Sequence, residues 1–173
     1  MLKKVFCFCL AMLIVPSCVF SADDSRLTIS GAVKASVCTL TYNPKTMIGT
    51  FTPRDFPTIG SVSAFKAMSF NLTNCYSKLS SVIVKFSGIA DSDDPTLLAL
   101  TTNSDGKQSA TGIGVELLDN AGKTIPFNKD TSKTFYLDEG FTTLSFLLRY
   151  KSTKHPVTSG EASSVLYFDL TYQ

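Results

Sequence analysis

Histidine is almost absent from this chain: among its 173 residues the only one is His155. Cysteine is scarce as well, because three of the five cysteines lie within the first 21 residues and only Cys38 and Cys75 follow them. One histidine and two cysteines do not supply four suitably spaced ligands, so no metal or other cofactor is expected. A lone histidine in a polar loop, with no nucleophile-elbow sequence, gives little support to a catalytic triad.

An excess of one charge is missing too. The chain has 16 Lys and Arg residues against 14 Asp and Glu residues, and its first 21 residues contain Lys3, Lys4 and no acid. Without that segment, 14 basic residues balance 14 acidic ones, and the net charge is zero. Nucleic-acid binders need a cationic surface, so neither nucleic acid nor an anionic membrane is expected as a partner.

Long hydrophobic runs are limited to residues 5–15, which are too few to span a bilayer, since a spanning helix takes about 20 residues. Two lysines precede this run, and small residues follow it at Ser21 and Ala22. This order is typical of a secretory signal peptide, and we expect residues 1–21 to be removed after Ser21 or Ala22. The mature chain is then exported, with no stable insertion in a membrane.

The export signal changes the interpretation of the two remaining cysteines. In an oxidising compartment, Cys38 and Cys75 are expected to form one disulfide. Their bridge would close a loop over 37 sequence positions. Loop entropy makes a bridge of this size worth roughly 4 kcal/mol.

No segment has the amphipathic period of a helix over three turns. Short stretches of alternating apolar residues are instead separated by turns at intervals of about eight to twelve residues, which predicts a single all-β sandwich domain. Besides the segments at the two ends, strands are expected near residues 47–51, 64–75, 79–86, 96–100, 112–118, 123–127, 133–137 and 142–150.

The last 14 residues, 160–173, alternate with a period of two. The residues on one face are mostly apolar: Ala162, Ser164, Leu166, Phe168, Leu170 and Tyr172. Side chains alternate across a strand, so this segment is expected to form a β-strand with one buried face. No further sequence follows it, so we expect no later strand of this chain to cover that face.

Residues 27–37 alternate in the same way. One face carries the residues Leu27, Ile29, Gly31, Val33, Ala35 and Val37. Glycine weakens a strand, and in this position it indicates either a bulge or a place where another group approaches closely. The residues themselves favour neither alternative.

Four stretches make this chain resemble the pilin subunits of chaperone–usher fimbriae, the kind that build type 1 and P pili. They are SGAVKASVC, in which a Cys is the seventh residue after Gly31; FNLTNC, which ends at Cys75; ATGIGVELLDNAGK; and a C-terminal block. That block contains FLLRY, then Gly160 as the fourteenth residue from the end, and the penultimate Tyr172. The four occur in the family's order along the whole chain after the signal.

The resemblance implies an immunoglobulin-like β-sandwich that lacks its last strand. A periplasmic chaperone would donate the missing strand first. At the outer-membrane usher, the N-terminal extension of the next subunit would then replace it, which is donor-strand exchange. By this resemblance, residues 1–21 are the signal peptide, residues 22–36 the donor-strand extension and residues 37–173 the pilin domain.

The resemblance also assigns roles to residues. Those implied to face a neighbour's groove are Leu27, Ile29, Gly31, Val33 and Ala35, and the close-approach alternative is then favoured for the glycine. Those implied to belong to the C-terminal strand recognised by chaperone and usher are Gly160, Leu166, Phe168, Leu170 and Tyr172.

The function that the resemblance implies is that of a structural subunit of an extracellular fimbrium, reached through the periplasm and contributing to bacterial adhesion. Its partners would be the chaperone, the usher and neighbouring pilin subunits. An alternative is a self-contained, receptor-binding minor or tip pilin. A secreted enzyme on a β-sandwich is disfavoured. The sequence does not distinguish a shaft subunit from an adaptor or terminator.

Overall fold

Two antiparallel β-sheets form the structure, a computed structural model that describes residues 37–101, 107–129 and 132–173. Within these residues the strands are β1 Thr39–Tyr42, β2 Lys66–Thr73, β3 Ser81–Gly88, β4 Ile113–Leu118, β5 Lys133–Tyr136, β6 Phe141–Ser152 and β7 Leu166–Tyr172. The first sheet has the order β1-β2-β6-β4, and the second has the order β5-β3-β7. The all-β sandwich predicted from the sequence is confirmed.

The strands form where apolar side chains alternate, because one face of each strand is then buried between the sheets. In β3 the buried alternate residues are Val82, Val84 and Phe86. In β6 they are Leu144, Phe146, Leu148 and Tyr150. Both sets are those that the alternation predicts.

Phe146 lies at the centre of the core and is fully buried. Its ring centroid is 5.7 Å from that of Phe70 in the same sheet, and 5.0 Å and 5.6 Å from those of Phe86 and Phe135 in the other sheet. Edge-to-face and tilted pairs at such distances are favourable beyond the area that they bury. The two sheets are therefore joined by an aromatic cluster.

The predicted disulfide joins Cys38 to Cys75. It lies beside the first pair of the β1–β2 ladder, Thr39 with Thr73. Since β1 has only four residues, the bridge holds a short strand in register at the edge of its sheet. The backbone N–H of Tyr76 donates to the carbonyl of Val37 at 2.9 Å and closes the same end.

The strand predicted near residues 47–51 is wrong. No backbone hydrogen bond joins residues 43–51 to another described residue. Pro44 and Pro53 punctuate the segment, and Ile48 and Phe51 pack against the core without any sheet pairing. The apolar spacing there reflects side-chain packing of a loop.

The strand predicted near residues 96–100 is also wrong. Leu98 exchanges backbone hydrogen bonds of 2.8 Å and 2.9 Å with Val115, but the neighbouring amides turn to other partners. Leu97 donates to Asp94 and Ala99 donates to Ile89. The ladder therefore ends after one residue, and Leu98 forms isolated bridges only.

An ion pair that local sequence patterns do not predict lies on the outer face of the first sheet. Arg149 Nε donates to Glu116 Oε2 at 2.6 Å, and the Thr124 hydroxyl donates to Glu116 Oε1 at 2.8 Å. The Glu116 side chain is only 5% exposed, and the Arg149 guanidinium lies over the Phe65 ring. These bonds compensate the desolvation of the carboxylate.

In the part of the chain that the structure describes, no three His, Cys, Asp or Glu side chains are grouped so that they could hold a metal ion. The same residues contain no helix of the length and apolar character that a membrane span requires.

Removing the disulfide should destabilise the fold. The Cys38→Ser/Cys75→Ser variant is expected to lose about 4 kcal/mol of unfolding free energy, because the bridge restricts the unfolded chain over a long loop. Urea unfolding of the refolded monomer measures the change, and reduced wild-type protein should fall to the same value. A loss below about 1 kcal/mol in both samples would contradict this account of the bridge.

Candidate functional site

β7 is an edge strand whose two faces differ. Its half-buried residues pack against the core: Leu166, Phe168, Leu170 and Tyr172. The residues between them, Tyr167, Asp169 and Thr171, are exposed. Burial raises the pKa of the Tyr172 phenol above its ordinary value, which agrees with a side chain that lies against the core.

Among the described residues, only β3 pairs with the backbone of β7, and it does so on one side. Ser81 and Gln173 exchange hydrogen bonds of 3.3 Å and 2.9 Å. Bonded pairs alternate with non-bonded pairs in an antiparallel ladder, so the next bonded pairs are Ile83 with Thr171, Lys85 with Asp169 and Ser87 with Tyr167.

The remaining residues of β7 direct their N–H and C=O groups away from β3. They are Leu166, Phe168, Leu170 and Tyr172, the same residues whose side chains face the core. No other described residue pairs with this side of the strand. β7 therefore presents a free edge together with an apolar face.

A groove of about 910 Å³ adjoins this edge. One wall is the segment after β1, residues 42–53, and the other is residues 157–164 with the start of β7. The floor includes core residues of the sandwich: Phe70, Leu98, Ile113, Val115 and Tyr150. The backbone of residues 43–51 makes no hydrogen bond to any described residue outside the segment, so this wall also offers backbone groups to an added strand.

Phe168 links the groove to the core. Its ring stacks on that of Phe70, with centroids 4.3 Å apart, and meets the Tyr42 ring edge-on at 5.3 Å. Tyr42 ends the edge strand β1 and Phe70 lies in the neighbouring β2, so these contacts join β7 of the second sheet to the β1–β2 side of the first. The position of β7 beside the groove is thereby fixed by aromatic packing.

Gly160 lies in the groove wall, before β7 begins. The wall is bonded to residues 108–110: Ala110 N donates to Glu161 O, and Glu161 N donates to Gln108 O, both at 2.9 Å. A Cβ on Gly160 would touch the backbone of Ser109 and Ala110 and would lie 2.7 Å from Gln108 O. Only glycine fits at this crossing without a shift of the backbone.

Tyr150 anchors the same wall from the core. Its hydroxyl donates to the Ala162 carbonyl at 2.6 Å. Burial raises the pKa of the Tyr150 phenol above its ordinary value, which agrees with a hydroxyl that lies in the core and donates there. The wall is thus tied to β6 as well as to residues 108–110.

The model of the family described as "Fimbrial protein" matches residues 27–173 of this chain. The chain belongs to the fimbrial protein family. This membership confirms the resemblance found in the sequence. Fimbrial proteins are structural subunits and not enzymes, so the expectation that the chain is not an enzyme is confirmed as well.

Individual relatives agree with the family. The chain is 42% identical to the fimbrial-like protein YcbU of Escherichia coli K12 over 127 residues, which cover 73% of this chain and 70% of that one. It is 30% identical to long polar fimbria protein A of Salmonella typhimurium LT2, over 100% of this chain and 98% of that one.

The fold is that of solved pilins. The crystal structure of the P pilus rod subunit PapA matches with a TM-score of 0.64 and 23% identity, over 80% of this chain and 100% of that one. The sandwich of this fimbrial subunit is therefore immunoglobulin-like, as expected.

The structure places part of the predicted site residues together. Leu166, Phe168, Leu170 and Tyr172 share the free edge of β7, whereas Gly160 supports the groove wall. Five predicted donor residues lie outside the described residues: Leu27, Ile29, Gly31, Val33 and Ala35. The sequence did not indicate that residues 43–51 and 108–110 would build the groove, because their positions depend on contacts with distant segments.

Replacing Gly160 should weaken the groove wall. Gly160→Ala is expected to lose about 1–3 kcal/mol of unfolding free energy, because the added methyl group must displace the backbone of residues 108–110. Ser159→Ala, at an exposed neighbouring position, should stay within about 0.5 kcal/mol of wild type. Urea unfolding of the two refolded monomers measures the difference, and equal stabilities would show that the crossing tolerates a side chain.

Proposed function

We propose that this fimbrial subunit polymerises by strand addition at the free edge of β7. The N-terminal extension of a neighbouring subunit, residues 22–36, occupies the groove and pairs with β7. Before assembly, a periplasmic chaperone occupies the same edge, and exchange takes place at an outer-membrane usher.

The observation that carries this proposal is the combination of edge and groove. Leu166, Phe168, Leu170 and Tyr172 direct unpaired backbone groups outward and apolar side chains inward. Unpaired backbone groups beside an apolar surface are costly, and an exposed strand edge of this kind promotes aggregation. One added strand would satisfy the backbone with its own N–H and C=O groups and would fill the groove with alternate side chains, as in other β-augmentation complexes.

Residues 26–36 have the pattern that such a donor requires. Leu27, Ile29 and Val33 lie on one face of an extended segment, and each large aliphatic side chain contributes roughly 1.5–3 kcal/mol when buried. Gly31 lies among them and allows the donor backbone to approach the groove floor closely. The apolar floor formed by Phe70, Leu98, Ile113 and Val115 suits these side chains.

The proposed need for a chaperone and an usher follows from the same exposed edge of β7. An exported subunit that exposes it needs protection until a neighbour arrives, and two strands cannot occupy one edge together. We infer that the subunit passes through the periplasm in complex with a chaperone and ends in a fimbrium on the cell surface. Its contribution to adhesion is then that of a polymer subunit, and its similarity to a long polar fimbria protein and to a P pilus rod subunit supports this role.

The test is a subunit that accepts a strand but cannot donate one. Gly31→Leu should abolish polymerisation, because the side chain blocks close approach in the neighbour's groove, while the variant still binds a synthetic peptide of residues 26–36. Ala32→Leu adds a large side chain on the opposite face of the donor and should polymerise as wild type does.

Polymers are counted by negative-stain microscopy and by SDS-resistant bands. Normal polymerisation of Gly31→Leu would contradict the proposal. The proposal would also be contradicted if wild-type protein, purified alone, remained a stable monomer, kept its own extension outside the groove and bound no peptide.

A further inference from the structure

A second stretch of strand edge lies on the opposite side of β3. β5 pairs with β3 only from Ser81 to Val84, whereas β7 pairs with it as far as Gly88. The last four residues of β3, 85–88, therefore extend beyond β5. An exposed edge of this kind is a site where a strand can add in the wrong place.

The groups on this stretch follow from the register. Since Lys85 and Ser87 bond to β7, Phe86 and Gly88 direct their N–H and C=O groups to the other side. Three of these groups meet a single residue, Asn128. Its backbone N–H donates to Phe86 O at 3.0 Å, its Nδ2 donates to Gly88 O at 2.6 Å, and its Oδ1 accepts from Gly88 N at 2.9 Å.

The conformation of Asn128 suits this role. Its φ is +56°, in the left-handed region that asparagine tolerates better than most residues. The side-chain amide carries one acceptor and two donor hydrogens, so it reproduces the hydrogen bonds of a peptide group on a neighbouring strand. One residue thus occupies the place of a strand without extending the sheet.

The other edges away from the groove are also occupied or short. β5 has only four residues and carries Lys133, whose Nζ lies 3.1 Å from Asp119 Oδ2. The outer side of β4 is met by bridges from Leu98 to Val115 and from Leu118 to Thr124. Short and charged edges discourage strand addition.

We propose that Asn128 determines where strands add to this subunit, by closing the β3 edge so that an incoming strand is directed to β7. This inference rests on the proposed strand addition at β7. It assigns Asn128 a positioning role in assembly: the residue makes no contact with the groove but excludes the competing site.

The test compares peptide binding by protein variants at two positions, each of which is an asparagine with a left-handed backbone conformation. Asn128→Gly keeps the backbone conformation and removes both side-chain bonds. Asn74→Gly is the matched control, because Asn74 has φ +51° and its side chain makes no hydrogen bond to another described residue. Every protein carries Gly31→Leu so that its own extension does not donate, and the labelled peptide RLTISGAVKAS is added in excess.

Stoichiometry and mass are measured by size-exclusion chromatography with light scattering. The parent and Asn74→Gly should bind one peptide and stay monomeric. Asn128→Gly should bind roughly twice as much peptide or form dimers, because a second edge is open. Asn128→Asp, which keeps the acceptor for Gly88 N–H but lacks the donor for Gly88 O, should show the same change and serves if the glycine variant does not fold.

Asn128 variants that bind one peptide and stay monomeric overturn the inference, even if they unfold at a lower temperature, because that result describes a merely structural residue. A parent protein that binds no peptide has a different meaning: it shows that the proposed addition at β7 is wrong, and the inference is then lost with it.

Discussion

The main constraint on this structure is that one side of the β7 backbone has no hydrogen-bond partner among the described residues. The strand is paired with β3 on one side, and on its other side no described residue meets the N–H and C=O groups of Leu166, Phe168, Leu170 and Tyr172. Because these residues also turn their side chains toward the core, backbone and side chains both require a partner at the same place. A single extended segment meets both requirements, which is why this edge is better suited to assembly than to solvent.

Several other features hold that edge in position. The stacking of Phe168 on Phe70 places β7 against the core, and the hydroxyl of Tyr150 holds the groove wall through Ala162. The disulfide fixes the short β1 at the opposite side, and Gly160 permits the wall to cross residues 108–110. Asn128 acts elsewhere, on the edge of β3 that lies away from the groove. The open edge is therefore held in place by packing against the core and by the hydrogen bonds of the groove wall.

Local sequence predicted the strands that bury one full face. The alternation around Phe146 corresponds to β6, and Cys38 and Cys75 form the predicted disulfide. Of the strand predicted over residues 160–173, only Leu166–Tyr172 pairs as β7, because residues 160–165 form the groove wall through isolated bridges. The strands predicted near residues 47–51, 96–100 and 123–127 were wrong. Phe51 packs against the core from a loop, and Leu98 and Thr124 form isolated bridges without a continuous ladder. The groove walls and the Asn128 bonds depend on residues tens of positions apart, so alternation and turn residues carry no signal for them.

Hydrogen exchange of the β7 amides tests the central claim most directly. In the subunit with an empty groove, the amides of Tyr167, Asp169 and Thr171 should be protected by β3, while those of Leu166, Phe168, Leu170 and Tyr172 exchange fast. Filling the groove with the peptide of residues 26–36 should slow the second set selectively, by about tenfold or more. Equal protection of both sets before the peptide is added, or no change after it binds, would contradict the account.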